Sequence, residues 1–251
     1  MISSRINVEE GAVVTNPIVL SIQVGKPKSL GTSDEATSPM DRMWTSAIIK
    51  EKVEGPIWLG ETNLEGDEQA DLEHHGGPEK AVLAYASAHY PFWQGQLGLP
   101  DIPFGGFGEN LTVAGLTEAD VCIGDTYEMG EVIVQVSQPR RPCWKLARRW
   151  KIKDLTLRVQ NTGCTGWYLR VLKTGYIKDG DTLKLIERPY PEWTVERCNQ
   201  LIHGNHKTKL EEVKELANCT LLSQSWRDTL FEIIAKGEKP DTQNRVIGPN
   251  E

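Results

Sequence analysis

Apolar positions along this chain fall in short runs separated by turn residues. Residues 18–24 (Ile-Val-Leu-Ser-Ile-Gln-Val) open the pattern as a first strand, and 25–41 follow as a polar, turn-rich loop. Residues 44–49 read as a second strand, ending at Lys50-Glu51-Lys52. Short apolar pieces then alternate with Gly55-Pro56, Gly60, Gly66-Asp67 and Gly76-Gly77. A further strand is predicted over 81–86. It precedes a short helix over 87–97, whose Pro91 lies near enough to the start to be tolerated. A glycine-rich loop, 103–109, leads into 110–113. Residues 121–127 and 131–136 are strands, the second alternating with a period of two. Closely spaced short strands with Gly/Pro turns point to a barrel or sandwich rather than repeated βαβ units.

The period changes towards the C-terminus. Residues 146–160 read as one helix that stops at Asn161-Thr162-Gly163, and strands over 166–172 and 181–186 close the sheet system. Arg188-Pro189-Tyr190-Pro191 is a composition break and marks a boundary. Three helices follow, over 195–202, 209–217 and 226–235, the middle one opening on a capping box, Thr208-x-x-Glu211. The predicted fold is α+β and mainly β. A β-barrel-like domain with a few helices covers 1–188, a three-helix domain 189–237, and a loose polar tail 238–251.

Composition narrows the function classes. The chain has 251 residues, 39% apolar and 25% charged, which describes an ordinary globular protein able to bury a sizeable core. No stretch approaches the ~18 uninterrupted apolar residues of a membrane span. The apolar patch over 12–24 is broken by Asn16-Pro17 and lacks a basic leader, so it reads as strand rather than signal peptide. Five cysteines without a CxxC pair argue against a disulfide framework or structural zinc, and a reducing cytoplasm is the expected compartment. The net charge of −7 disfavours nucleic acid and anionic membranes as partners. Residues 190–251 carry eight Lys/Arg against ten Asp/Glu, the wrong sign for three helices that would read DNA.

Against that acidic background, residues 140–153 hold seven Lys/Arg and no Asp/Glu, around the loop Gln138-Pro139-Arg140-Arg141-Pro142-Cys143-Trp144-Lys145. Cationic surroundings favour a thiolate, which is both a nucleophile and a soft metal ligand. Arg148, Arg149, Lys151 and Lys153 are expected on a solvated helix face, leaving Arg140, Arg141 and Lys145 to meet an anion. A second constellation is Asp71-Leu72-Glu73-His74-His75-Gly76-Gly77-Pro78-Glu79-Lys80. Its Gly-Gly pair would let backbone approach a ligand, with His75 and Lys80 adding a switchable donor and a fixed charge. Zinc on His74, His75 and Cys143 is disfavoured, because adjacent histidines on an extended chain point apart. The loop from Gly105 to Asn110 is neither a P-loop nor a dinucleotide fingerprint.

Taken together, Gln138-Pro-Arg-Arg-Pro-Cys143, His75-Gly-Gly-Pro-Glu-Lys-Ala-Val82 and Phe107-Gly-Glu-Asn-Leu111 resemble the MOSC family, named for the domain that ends molybdenum cofactor sulfurases. Gly124-Asp125 and Gly166-Trp-Tyr-Leu-Arg170 also match, and the helices after residue 188 resemble the appendage of stand-alone bacterial members. The resemblance implies a β-barrel-like domain binding the molybdenum cofactor, with Cys143 as the thiolate ligand to molybdenum. It implies Arg140 and Lys80 as partners of the pterin or its phosphate, and His75, Gly76 and Gly77 as pterin contacts. Asn110 and Gln138 would bond the pterin edge, with Thr45 and Lys50 as weaker candidates. The implied reaction is reduction of N-hydroxylated compounds, of hydroxylaminopurine or amidoxime type, to amines or amidines. An external flavin or iron–sulfur reductase would return the electrons, and the helices could support a homodimer. Two other readings stay open: a sulfur carrier with a persulfide on Cys143, and a cysteine hydrolase with His75 as base, for which no third, orienting group is evident.

Overall fold

The computed structural model describes residues 16–71, 75–204, 209–237 and 241–250. Thr208 of the expected capping box and His74 lie outside the described residues.

Eight strands form one curled sheet. They are β1 (Ile18–Val24), β4 (Glu51–Lys52), β6 (Val82–Ala86), β7 (Leu111–Ala114), β8 (Thr126–Met129), β9 (Val132–Pro139), β10 (Trp167–Lys173) and β12 (Lys184–Glu187). Their order is β12-β8-β9-β10-β6-β7-β1-β4. Neighbours pair antiparallel except β6 and β7, which run parallel. Two short ladders flank the sheet: β2 (Lys28–Leu30) with β3 (Trp44–Ser46), and β5 (Ile57–Leu59) with β11 (Gly175–Ile177). Val19 N–H donates to Asp181 O at 2.9 Å and Leu183 N–H to Pro17 O at 2.8 Å. These bonds bring β1 back to the chain entering β12 and curl the sheet towards a barrel.

Strand β6 shows why the apolar runs are continuous here. Val82 and Ala84 face the main core, while Tyr85 on the other face joins a second, largely aromatic cluster with Tyr90, Trp93 and Phe107. A strand covered on both sides has no solvated positions to be polar. Gly166 lets β10 approach β6 closely, because a Cβ there would lie 2.4 Å from Ala84 O and φ is +77°.

Several elements depart from the expected bounds. The single helix over 146–160 is two, α2 (Lys145–Trp150) and α3 (Leu155–Thr162), after α1 (His89–Leu97). Lys151 adopts φ 54° between them and breaks the helix. Strand β8 starts only at Thr126, because the buried Asp125 carboxylate holds 122–127 as a turn. It accepts Cys122 N–H at 2.9 Å, Tyr127 Oη–H at 3.1 Å, and both Nε and Nη2 of Arg188. Strand β3 stops at Ser46, whose hydroxyl accepts Ile48 N–H.

The C-terminal helices are α4 (Val195–His203), α5 (Leu210–Ala217), α6 (Gln224–Lys236) and the short α7 (Gln243–Val246). Thr194 and Ser223 cap α4 and α6. Cys198, Leu201, Leu216, Trp226 and Leu230 share one apolar cluster with Val134, Val136, Trp167 and Leu169 of the sheet. Ser223 N–H also donates to Ser137 O at 2.9 Å, bringing the start of α6 against β9 beside the cysteine loop. The expected loose tail is corrected over 241–250: it packs on that loop, with Val246 and Asn250 buried. No helix among the described residues is long and apolar enough to cross a membrane.

Candidate functional site

Strand β9 delivers the cysteine loop, and the loop has no regular structure of its own to satisfy its backbone. Other segments supply the partners. Arg140 N–H donates to Gly166 O, and Trp226 Nε1–H to Pro139 O at 3.1 Å. Thr156 of α3 donates its hydroxyl to Cys143 O at 3.0 Å. The C-terminal segment contributes most: Arg245 Nη1 donates to Pro142 O at 2.5 Å, Trp144 N–H to Arg245 O, and Asn250 Nδ2 to Trp144 O. Buried backbone carbonyls and amides are costly when unpaired, so these contacts hold Cys143 in one place.

Two chambers meet at Cys143. The inner one is walled by Lys50, Asp67, Gly76, Asn110 and Arg140, and the outer by Trp44, Gln138, Trp144, Thr229 and Arg245. Asp71, His75, Lys80, Arg141, Cys143, Lys145 and Tyr168 line both. The outer chamber has a volume of about 1010 Å³.

At the junction, Cys143 Sγ lies 3.6 Å from His75 Nε2, and His75 Nδ1 lies 3.6 Å from Asp71 Oδ2. Lys145 Nζ is 3.8 Å from the same carboxylate oxygen. Burial, reinforced by the charge of Lys145 and opposed by Asp71, lowers the His75 pKa to about 4, so its imidazole is neutral at pH 7. Burial also lowers the pKa of Lys80 and Arg141. Arg140 is only 5% exposed, and its Nη1 is buried without a hydrogen-bond partner among the described residues, as is His75 Nδ1. Protein interiors rarely leave such donors unmatched unless a water or ligand completes them.

The expected site residues separate by what already engages them. Cys143, His75, Gly76, Lys80 and Arg140 face the inner chamber. Gly77, with φ 83°, does not line it but starts the 3-10 turn Pro78–Lys80 that presents Lys80. Lys50 and Asn110 line the chamber yet are both held by Asp67. That carboxylate pairs with Lys50 and accepts Asn110 Nδ2 at 2.9 Å and Gly25 N–H at 2.7 Å. Asn110 also accepts Leu83 N–H and donates to Gln23 O, so its amide braces β1, β6 and β7. Gln138 accepts the Ser223 hydroxyl at 2.7 Å, tying the loop to α6. Thr45 is exposed at the rim of the outer chamber.

Lys151 and Lys153 are exposed, but in the break between α2 and α3 rather than on a helix face, and the solvated-face expectation is corrected for Arg148 and Arg149. Arg148 is 4% exposed and bonds Asn250 Oδ1 at 2.7 Å and Pro249 O at 2.9 Å. Arg149 donates to Ile48 O at 2.5 Å and Gly105 O at 2.7 Å, fixing the glycine-rich loop. That loop also wraps the buried Glu109, which accepts Gly105 N–H, Phe107 N–H and the hydroxyls of Tyr90 and Thr112. Sequence reasoning missed Asp67, Trp44 and Arg245, and it placed Asp71 in the second constellation without a role. Asp71 had a usable signal, standing four residues before His75, and it is the third group that the cysteine-hydrolase reading lacked.

Comparison with known proteins places this geometry. A family model described as the MOSC domain matches residues 71–184, which include His75, Asn110 and Cys143. YflK of Bacillus subtilis (strain 168) is 43% identical over 214 residues, 85% of this chain and 93% of that protein. The chain belongs to the MOSC family. This MOSC protein is also 39% identical over 222 residues to a protein of Gibberella moniliformis (strain M3125 / FGSC 7600) named a reductase, spanning 37% of that longer chain. Its fold matches the crystal structure of YiiM from Geobacillus stearothermophilus with a TM-score of 0.71 and 36% identity. That match covers 87% of the present MOSC chain and 99% of the other, more than the family model alone.

Proposed function

We propose that this protein is a molybdenum-cofactor-dependent reductase of N-hydroxylated compounds. The observation that carries the reading is the buried Nη1 of Arg140, without a hydrogen-bond partner among the described residues, on a chamber wall shared with Lys80, Arg141 and Lys145, beside the Cys143 thiol. An anionic group bearing a soft metal fits that donor set: phosphate or pterin oxygens on the cations, sulfur on the metal. When bound, the cofactor supplies two-electron removal of oxygen from N–OH, so that R–NHOH with two electrons and two protons gives R–NH2 and water.

The chain's own residues do the rest. Arg140, Lys80 and Arg141 bind and orient the anion, and Gly76, at φ 88°, allows close backbone approach. His75, neutral and with Nδ1 3.6 Å from Asp71 Oδ2, would orient the Cys143 sulfur through Nε2, which lies 3.6 Å from it. The electrons come from a separate flavin or iron–sulfur reductase, and the reducing cytoplasm is the compartment that keeps Cys143 free. The reductase name of the Gibberella relative supports the same reaction class.

The contact between Cys143 and His75 also supports a second reading, a sulfur carrier with a persulfide on Cys143. Metal and pterin analysis of protein from a cofactor-competent host separates the two. Wild type is expected to carry molybdenum and pterin, Cys143→Ala to lose the metal, and Arg140→Gln to lose pterin. Protein lacking both groups but persulfidated at Cys143 would establish the alternative.

A further inference from the structure

The five cysteines separate by their surroundings. Cys122, Cys198 and Cys219 are buried, and burial raises the pKa of all three, so these thiols stay protonated at pH 7. Cys143 belongs to the chambers. Cys164 lies outside both, partly exposed on the loop between α3 and β10, and has no part in the proposed reaction.

Groups from three elements converge on that loop. His89 of α1 hydrogen-bonds Cys164 and sets its Nε2 2.6 Å from Oε2 of Glu118, which is 4% exposed. Burial opposes the charge on His89, but these two bonds raise its pKa to about 10, so the ring is an imidazolium at pH 7. Asn199 of α4 donates Nδ2 to Gly163 O at 3.4 Å and to Thr165 Oγ1 at 2.9 Å, on either side of Cys164. Its Oδ1 is buried without a hydrogen-bond partner among the described residues.

A cation against a partly exposed sulfur favours its nucleophilic form, the form that peroxides oxidise. A buried acceptor left unmatched is uncommon, and a sulfenic hydroxyl on Cys164 would bring a donor to the same loop.

We propose that Cys164 is a modification site, oxidised to the sulfenic acid by hydroperoxides, with His89 held by Glu118 as the proton donor. The sulfur bonds the terminal peroxide oxygen as the O–O bond breaks, and the leaving oxygen takes a proton from His89, which the thiol proton replaces. Sulfur loses two electrons and the peroxide gains them, so that R–SH and R′OOH give R–SOH and R′OH. The site is independent of the reductase reading.

The test treats the full-length protein with hydrogen peroxide and dimedone, which traps sulfenic acids, and reads each cysteine by mass spectrometry after digestion. At pH 7, Cys164 of wild type should be trapped about ten-fold faster than N-acetylcysteine, and His89→Gln should lower its rate about ten-fold. Cys122, Cys198 and Cys219 should stay unlabelled in both proteins. If they become labelled in His89→Gln, that variant has unfolded and the wild-type comparison decides alone. Cys164 of wild type reacting no faster than N-acetylcysteine, or equally fast in folded His89→Gln, overturns the proposal.

Discussion

The chain contains two constellations of cysteine, histidine and carboxylate, and they carry opposite charge states. At Cys143, burial, reinforced by the charges of Lys145, Lys80 and Arg140 and only partly opposed by Asp71 at 3.6 Å, lowers the pKa of His75 to about 4. At Cys164, His89 Nε2 lies 2.6 Å from Glu118 Oε2. Burial there works against the charge, but hydrogen bonds to Cys164 and Glu118 outweigh it and raise the pKa to about 10. Glu118 also accepts Gly166 N–H at 2.7 Å, so the His89 pair joins α1 to the start of β10. The same three residue types therefore make a cationic tie in one place and a neutral, ligand-facing wall in the other. Burial lowers the pKa of both histidines, and the difference lies in the hydrogen bonds that outweigh it at His89 and in the cations that reinforce it at His75.

The largest expected contrast is between the two thiols. Under the proposed reductase function, Cys143→Ala should abolish activity and metal content together, whereas Cys164→Ala should leave both near wild type, as read by metal analysis and turnover. Equal loss at both positions would erase the distinction drawn here. Next in size is stability. His89→Ala leaves Glu118 buried without its cation and should cost about 3–5 kcal/mol in urea denaturation. His75→Ala faces a chamber rather than a closed core and should cost about 1 kcal/mol or less.

The pH profiles should also run in opposite directions in cofactor-free protein. The folded-state pKa of His89 is raised, so its contribution is fully present below about 6.5 and is lost as pH rises through about 10. The folded-state pKa of His75 is lowered, so its contribution is present above about 6.5 and is lost as pH falls towards about 4. Denaturation midpoints of wild type, His89→Gln and His75→Gln across pH 4–10 would reveal both windows. If the two variants track wild type at every pH, the assigned charge states are wrong. The smallest effect concerns the C-terminal segment. Arg245→Ala removes bonds to Pro142 O and Gln160 Oε1 and should lower stability by about 1–3 kcal/mol. It should also speed alkylation of Cys143 but not of Cys164, measured by mass spectrometry.

Much of this was legible before any coordinates. The short strands and their turns, the Cys143 loop, the His75-Gly-Gly turn and the family resemblance all rest on local features. β-Periodicity, turn residues and a charge reversal are properties of contiguous sequence. The helix break at Lys151 was not legible, because nothing near it is a strong breaker. Nor was the burial of Arg148, whose partners, Pro249 and Asn250, lie more than 100 residues away.

By itself, the sequence determined an α+β chain of short strands with a thiol set among cations, since patterning and local charge suffice for those statements. Only the tertiary structure decided which polar groups are already matched. Asn110, Gln138 and Glu109 are engaged by other parts of the chain, while Arg140 Nη1 and His75 Nδ1 are buried on the chamber walls without a hydrogen-bond partner among the described residues. Hydrogen bonds between residues tens of positions apart exist only once the chain has closed on itself, and in the MOSC protein that closure separates the polar groups that brace the barrel from those that line the chamber.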